Sequence, residues 1–288
     1  MKRPARMARV VRRVWIAAGA TAIVAFCLAP FLWIFIASIT PEAVPDASKP
    51  WSSERAVQYF PAEPTLRNYV DLFKDVPFAL YFRNSTIVAT GTMLLGLVLA
   101  SLGAYGFVRF RFVGRGPLLT AMLLTYMIPS VVLLVPLLVI LRRIGLIDTF
   151  PGLILAESTN TAPFVLLLMI NYFSTLPREL EEAAQVDGCS PLGTLVRIVI
   201  PLALPGLVAG GLLAFIMTWN NFVFAYLFTN TDNVKTLPVI LRLFVLGEPA
   251  VWGVSAAGAI LTTVPVALLF LLFQRMLIGG LSAGAVKG

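Results

Sequence analysis

Four acidic side chains, Glu179, Glu181, Glu182 and Asp187, fall within one short polar stretch, while Glu157, Asn160, Asn220 and Asn221 interrupt runs that are otherwise apolar. The chain of 288 residues has no histidine, so His-based triads and His metal sites are impossible. It also lacks a Gly-x4-Gly-Lys-Ser/Thr phosphate loop. The expectation is a protein that changes no bond itself and holds no metal or cofactor of its own. If ATP drives it, another chain binds the ATP.

The elements that position the acids can be read from local chemistry. Pro177 fits the first turn of a helix, the acids at 179, 181 and 182 favour its positive end, and Gly188 supplies the stop, with Pro191 three residues beyond. This predicts a helix of about ten residues whose Leu180, Ala183, Ala184 and Asp187 share one face, flat enough for close approach by another surface. Ser190 as cap and Pro191 at the first position predict a second short helix, with Leu192, Leu195, Val196 and Val199 as a stripe that packs back onto the protein. An isolated helix of that length is marginal in water, so a docking partner is expected to hold the first one.

The surroundings of this loop are membrane. Of all residues 59% are hydrophobic and 12% charged, and the mean hydropathy is +0.89. The intervals 14–39, 84–108, 116–141, 198–231 and 249–274 contain no Asp, Glu, Lys or Arg. Each exceeds the roughly 20 residues needed to cross about 30 Å of hydrocarbon as a helix. A sixth apolar run, about 151–173, carries Glu157. The spans are therefore placed at 14–39, 84–108, 117–141, 151–173, 202–228 and 251–274. Lys and Arg cluster in residues 1–13 and 109–116, which puts these segments, 174–201 and 275–288 in the cytoplasm and 40–83, 142–150 and 229–250 outside. So threaded, the inside segments hold 13 Lys/Arg against 4 Asp/Glu, with Arg142 and Arg143 as outward misfits. The basic excess, net +8 overall, hugs helix ends, where anionic lipid is a simpler partner than nucleic acid.

The first apolar run is too long for the apolar core of a typical cleavable signal, about 7 to 15 residues, and is expected to be a retained anchor. Cys27 within it and Cys189 in the cytoplasmic loop cannot pair in this topology. The outer segment 40–83 contains Pro41, Pro45, Pro50, Pro61, Pro64 and Pro77, which allow an extended loop with one short helix near 66–74; it is either a connector or a surface for an extracytoplasmic partner. Polar groups inside spans are costly, so Glu157, Asn160, Asn220 and Asn221 should face a water-filled cavity or a neighbouring helix. Either role, lining a substrate path or bonding between helices, fits them. Pro129, Pro136, Pro163 and Pro265 should kink their helices.

Glu182-Ala183-Ala184, three residues, Gly188, nine residues, then Ile198-Val199-Ile200-Pro201 resembles the coupling loop of binding-protein-dependent ABC importer permeases, departing only at Ile200, where the family has Leu. Leu102-Gly103-Ala104-Tyr105-Gly106-Phe107-Val108-Arg109, Met127-Ile128-Pro129, Thr218-Trp219-Asn220 and the ending from Gly280 to Gly288 resemble the carbohydrate branch, in particular its maltose-type second permease subunit. The resemblance implies an all-α membrane protein of six transmembrane helices with a cytoplasmic coupling-helix loop between helices 4 and 5. It implies that Glu182, Ala183, Ala184, Asp187 and Gly188 seat on an ATPase, and that the tail, with Ser282, Gly284 and Lys287, reaches between two ATPase copies that use ATP and Mg. It further implies a homologous second permease, an extracytoplasmic solute-binding protein, residence in a bacterial or archaeal inner membrane, and import of a sugar or oligosaccharide.

The competing readings are an ABC importer of another solute, such as a glycerol phosphate derivative, or a secondary transporter or channel. The latter usually places coupling acids near the bilayer midplane and shows internal repeats; here only Glu157 stands inside a span, off centre, and no repeat is evident. The orientation yields a direct expectation: single cysteines at position 188 and at the C-terminus should be labelled only from the cytoplasm, and one at Trp51 only from outside. Opposite sidedness at any of these would break the threading.

Overall fold

The computed structural model describes residues 4–41, 63–246 and 252–285, with side-chain surroundings given for 12–41, 63–243 and 252–276. Among the described residues the protein is all helix. In order, the elements are α1 Pro4–Ser38, α2 Arg67–Asp75, α3 Phe78–Arg109, α4 Arg115–Met127, α5 Ser130–Arg143, α6 Phe150–Ser174, α7 Glu179–Val186 and α8 Pro191–Thr194. A π-helical turn, Leu195–Val199, leads into α9 Ile200–Leu202, α10 Leu204–Trp219, α11 Val223–Phe228, α12 Leu237–Leu246 and α13 Trp252–Ala285. Residues 42–62 of the segment expected to lie outside, including Pro45, Pro50, Trp51 and Pro61, lie outside the described residues, as does Lys287.

Among the described residues, α1, α3, α6 and α13 are each long and apolar enough to cross a membrane. Six spans are reached when two bent pairs count as one each: α4 with α5, bent by 100°, and the α8 to α9 segment with α10, bent by 82°. The expectation of uninterrupted helices at 117–141 and 202–228 is thus corrected. Pro129 does more than kink the third span. It lacks an N–H and drives Ile128 to extended backbone (φ −69°, ψ 125°), so α4 stops and α5 restarts. In the fifth span α10 stops at Trp219 and α11 resumes at Val223. Pro136, Pro163 and Pro265 sit inside continuous helices. The segment 229–250, expected as a loop, contains α12, and α13 carries its helix through the expected tail to Ala285.

The chain divides into two compact units. In the first, residues 1–77 and 243–262, α2 is fastened to the end of α1. Asn68 Nδ2 donates to the carbonyls of Ser38 (2.9 Å) and Thr40 (2.8 Å), and Ser38 Oγ and Tyr69 OH share a hydrogen bond of 2.8 Å. Asn68 and Ser38 are buried, so these bonds satisfy groups that would otherwise be costly.

The second unit, residues 78–242 and 263–288, is built around α3, α6 and α10. Lipid tails are as apolar as leucine, so helices in a membrane gain little from hydrophobic burial and associate through close packing at small residues. A β-carbon on Gly103 of α3 would fall 2.9 Å from Leu166 of α6, and one on Gly206 of α10 would fall 2.6 Å from ring carbons of Tyr172. Tyr105, Phe107, Met169, Phe173, Leu195 and Val199 form the core towards α7, and Val88, Leu153, Phe224 and Phe228 are part of the core at the other end.

At that other end polar contacts tie the connections down. Asn84 Nδ2 donates to the carbonyls of Asp232 (3.1 Å) and Lys235 (2.9 Å), and the N–H of Leu237 donates to Ser85 Oγ (2.8 Å). Asp148, at φ 60°, accepts on Oδ1 from the N–H groups of Asn230 (2.8 Å) and Thr231 (3.0 Å). Burial raises the Asp148 carboxyl, but those N–H groups, the Thr231 side chain and the charge of Lys235 outweigh it and hold it below the usual carboxylate value.

Two expectations arise from this packing. Gly206→Ala should lower the melting temperature of the purified complex by the equivalent of about 1–3 kcal/mol, because the tyrosine ring must move. Gly96→Ala, whose β-carbon meets nothing within 4 Å, should leave it unchanged or raise it; equal effects would refute the close-packed seam. For Asp148, a pKa lowered by folding means its stabilisation is complete above the unfolded value, near 3.8, and is lost as pH falls through the lower folded value. Hydrogen exchange at the Asn230 and Thr231 amides should therefore be slow from neutral pH to about 4 and accelerate, beyond its intrinsic pH dependence, only below that; protection lost near pH 6 would contradict the assignment.

Candidate functional site

The segment between α6 and α10 is shaped by its own sequence. α7 has its acids in the first turn, where the helix end is positive. It ends in a paired C-terminal bond pattern: the N–H of Cys189 donates to the Ala184 carbonyl (2.9 Å) and that of Gly188 to the Gln185 carbonyl (3.0 Å). This closure puts Gly188 at φ +89°, where a side chain would be strained. Ser190 Oγ then accepts from the N–H of Gly193 (3.1 Å) to start α8, with Pro191 at its first position.

What seats this segment is a buried ion pair. Arg109 closes α3, and its Nε donates to Glu181 Oε1 at 2.7 Å, the two side chains only 10% and 6% exposed. The same guanidinium donates through Nη2 to the carbonyls of Phe173 and Leu176 (3.2 Å each), at and just past the end of α6. Arg178, just before α7, donates to the Val108 carbonyl at the end of α3 (3.1 Å). Helix ends leave carbonyls without partners, and two arginines here supply them. Tyr105, one turn before Arg109, lies beside the Glu181 carboxylate.

Sequence reading missed this clamp. Sequence alone marks Arg109 as one of the basic residues that orient the chain and Glu181 as one of the acids of a first turn. The available signal was an arginine closing an apolar run with a tyrosine four residues before it, but its partner lies 72 positions away.

The faces of the segment also differ from expectation. Leu180, Ala183 and Asp187 are exposed together with Glu182, but Ala184 is buried and faces inward with Glu181. In the second helix Leu195 and Val199 are buried, whereas Leu192 and Val196 are 60% and 54% exposed, so the stripe packs back only in part. The π-helical turn widens the spacing and separates the two pairs.

Of the four polar residues within spans, the structure joins two. Glu157 on α6 is buried, and its Oε2 accepts from Asn221 Nδ2 at 2.9 Å. Asn221 Oδ1 in turn accepts from the N–H groups of Val223 (3.1 Å) and Phe224 (3.4 Å) and so starts α11. Asn220 is exposed and donates to the Ile216 carbonyl of its own helix (2.9 Å). Asn160, one turn beyond Glu157, is half-buried and its side chain has no hydrogen bond among the described residues. Ser282 and Gly284 lie in the last turns of α13, in the stretch whose side chains are not described, and Lys287 lies outside the described residues.

Known proteins are similar to this chain over most of its length. The chain is 36% identical over 262 residues to the sulfoquinovosyl glycerol transport system permease protein SmoH of Agrobacterium fabrum, covering 91% of this chain and 89% of that one. It is 37% identical to the trehalose transport system permease protein SugB of Mycobacterium tuberculosis (93% and 95% covered). It is 35% identical to the trehalose/maltose transport system permease protein MalG of Thermococcus litoralis (97% and 98% covered). In fold it is similar to a chain from the crystal structure of a bacterial ABC transporter involved in the import of the acidic polysaccharide alginate, with a TM-score of 0.76 at 23% identity, covering 96% of this chain and 98% of that one. Residues 92–282, which take in α7, its Gly188 stop and both broken spans, match the family of binding-protein-dependent transport system inner membrane components, and the chain belongs to that family.

Proposed function

We propose that this multi-pass inner-membrane permease imports a sugar or an oligosaccharide, and that α7 is the element through which separate ATPase chains drive it. The observation that carries the coupling role is the Arg109–Glu181 clamp. It leaves Glu182, Ala183 and Asp187 facing outward on a helix whose other side is fixed to the ends of α3 and α6. A partner that displaces α7 then displaces both spans with it. In this reading Glu182 and Asp187 meet basic or polar groups of the ATPase, Ala183 permits close approach, Ala184 packs the helix inward and Gly188 makes the turn. Ser282, Gly284 and Lys287 extend the contact between two ATPase copies. ATP and Mg are bound by those copies and none by this chain.

The cargo class rests on the relatives, which include permeases for trehalose, trehalose/maltose and sulfoquinovosyl glycerol. A homologous permease completes the pathway and a solute-binding protein delivers cargo from outside, with both termini cytoplasmic. Asn220, exposed where α10 ends, and Asn160, its side chain free of hydrogen bonds among the described residues, are the pathway candidates. Glu157 acts through Asn221 by fixing the start of α11.

The test uses the complete complex in proteoliposomes, assayed for ATPase activity and uptake with a panel of disaccharides and short oligosaccharides. One or more sugars should stimulate ATP hydrolysis together with uptake. Glu182→Lys and Gly188→Pro should leave insertion intact and abolish that stimulation, since proline cannot adopt a φ near +89°. Arg109→Met should also destabilise the complex, by about 3–5 kcal/mol, because it strands the buried Glu181 charge, and Arg109→Met with Glu181→Met should recover most of the loss. Normal sugar-stimulated ATPase activity in both Glu182→Lys and Gly188→Pro would overturn the coupling assignment.

A further inference from the structure

Ala156, Asn160 and Phe164 stand on successive turns of one face of α6. Ala156 belongs to the apolar core that takes in Leu134 of α5. The Phe164 ring stacks on that of Tyr126, the next-to-last residue of α4, with centroids 6.1 Å apart and planes 28° from parallel. Asn160 therefore lies at the level where the chain between Tyr126 and Leu134 breaks, at Ile128 and Pro129. That level is close to the middle of the span: Asn160 is ten residues from Phe150 and fourteen from Ser174, about 15 and 21 Å along the helix.

Backbone that leaves the helix at such depth is tolerated only where it is buried in protein or borders water. This subunit does not bury the break, since Met127 is 76% exposed and Pro129 is exposed as well. Two side chains at the break have binding capacity to spare. The Asn160 amide is half-buried and makes no hydrogen bond among the described residues, and Tyr126 is 44% exposed even with its ring against Phe164. An amide offers two donors and an acceptor, and a tyrosine ring offers a flat apolar face. A pyranose ring needs both, because its hydroxyls lie around the rim and its C–H groups on the faces.

Charge is missing at this depth. The intervals 84–108, 116–141 and 198–231 contain no Asp, Glu, Lys or Arg, and in α6 only Glu157 is charged, its carboxylate already bonded by Asn221. No cation of these spans would offset the desolvation of a carboxylate or sulfonate, and Glu157 would repel it. We infer that Asn160 and Tyr126, at the α4–α5 break, contact an uncharged saccharide in the middle of the membrane, the amide bonding its hydroxyls and the tyrosine ring packing on a sugar face. The inference rests on the import reading given above and narrows it to neutral sugars.

The experiment uses the complete complex with its binding protein in proteoliposomes, offered trehalose, maltose, cellobiose and a disaccharide containing glucuronic acid. At least one neutral disaccharide should be imported in preference to the uronate. Asn160→Leu and Tyr126→Leu should each lower its maximal uptake rate about tenfold, the upper worth of one neutral hydrogen bond or ring contact, while Tyr126→Phe keeps most of the rate. The melting temperature of Asn160→Leu should be unchanged, because the amide has no partner in the subunit to lose. With Cys27→Ser and Cys189→Ser as background, Asn160→Cys should react with a water-soluble maleimide, more slowly when the imported sugar, the binding protein and a non-hydrolysable ATP analogue are present. Unchanged uptake in both leucine variants, or a thiol at position 160 that the maleimide never reaches, would overturn the site. So would a lowered melting temperature in Asn160→Leu with the sugar preference intact, which would show a structural role. Preferential import of the uronate would overturn the neutral ligand class. A reactive thiol in a complex that imports none of these sugars would instead overturn the proposed cargo and leave the break on a water-filled path.

Discussion

The buried pair of Arg109 and Glu181 holds the functional end of this permease together. Taking two charges out of water costs several kcal/mol each, and their mutual attraction offsets it only when the remaining hydrogen-bonding capacity is also used. Here it is used: Arg109 reaches the Phe173 and Leu176 carbonyls as well as the carboxylate. α7 has eight residues, too few to persist alone in water. Its inner face, Glu181 and Ala184, is buried, with Glu181 held by Arg109 at the end of α3, so its helicity and its attachment have one cause. The ends of α3 and α6 and the whole of α7 therefore respond to a load as one body.

The helix breaks between α4 and α5 and between α10 and α11 follow a different rule. Backbone polar groups at membrane depth must find partners within the protein. Where α10 ends, the amide of Asn221 takes the N–H groups that start α11 and gives its own N–H to Glu157. At the other break the Ile128 N–H reaches the Thr125 carbonyl and the Val132 N–H the Pro129 carbonyl. Glu157 and Asn221 thereby serve the backbone, while Asn220 is left facing out of the subunit.

Between these polar fastenings the three central helices meet through small residues and aromatic rings. Gly103 against Leu166 and Gly206 against Tyr172 leave no room for a further carbon, which fixes the spacing of α3, α6 and α10. Asn84, Ser85 and Asp148 secure the opposite end of the same bundle. A core tied at both ends suits the coupling role proposed for α7.

The sequence by itself determined the helical class, the apolar runs and the capping of the coupling segment, because each depends on local chemistry. An uncharged run partitions into hydrocarbon whatever surrounds it, Gly188 alone relieves a positive φ, and Ser190 with Pro191 begins a helix through contacts within four residues. Tertiary structure decided the rest. Spacing placed Ala184 beside Leu180 and Ala183, but only the tertiary fold, in which α7 lies against α8 and the π-helical turn and Glu181 meets Arg109, turned it inward. The prolines at 129 and 136 looked alike in sequence; one ended a helix and the other did not. Arg109 and Glu181, 72 residues apart, carry no mark of each other in the chain, and only the close packing of the spans brings them within hydrogen-bonding distance.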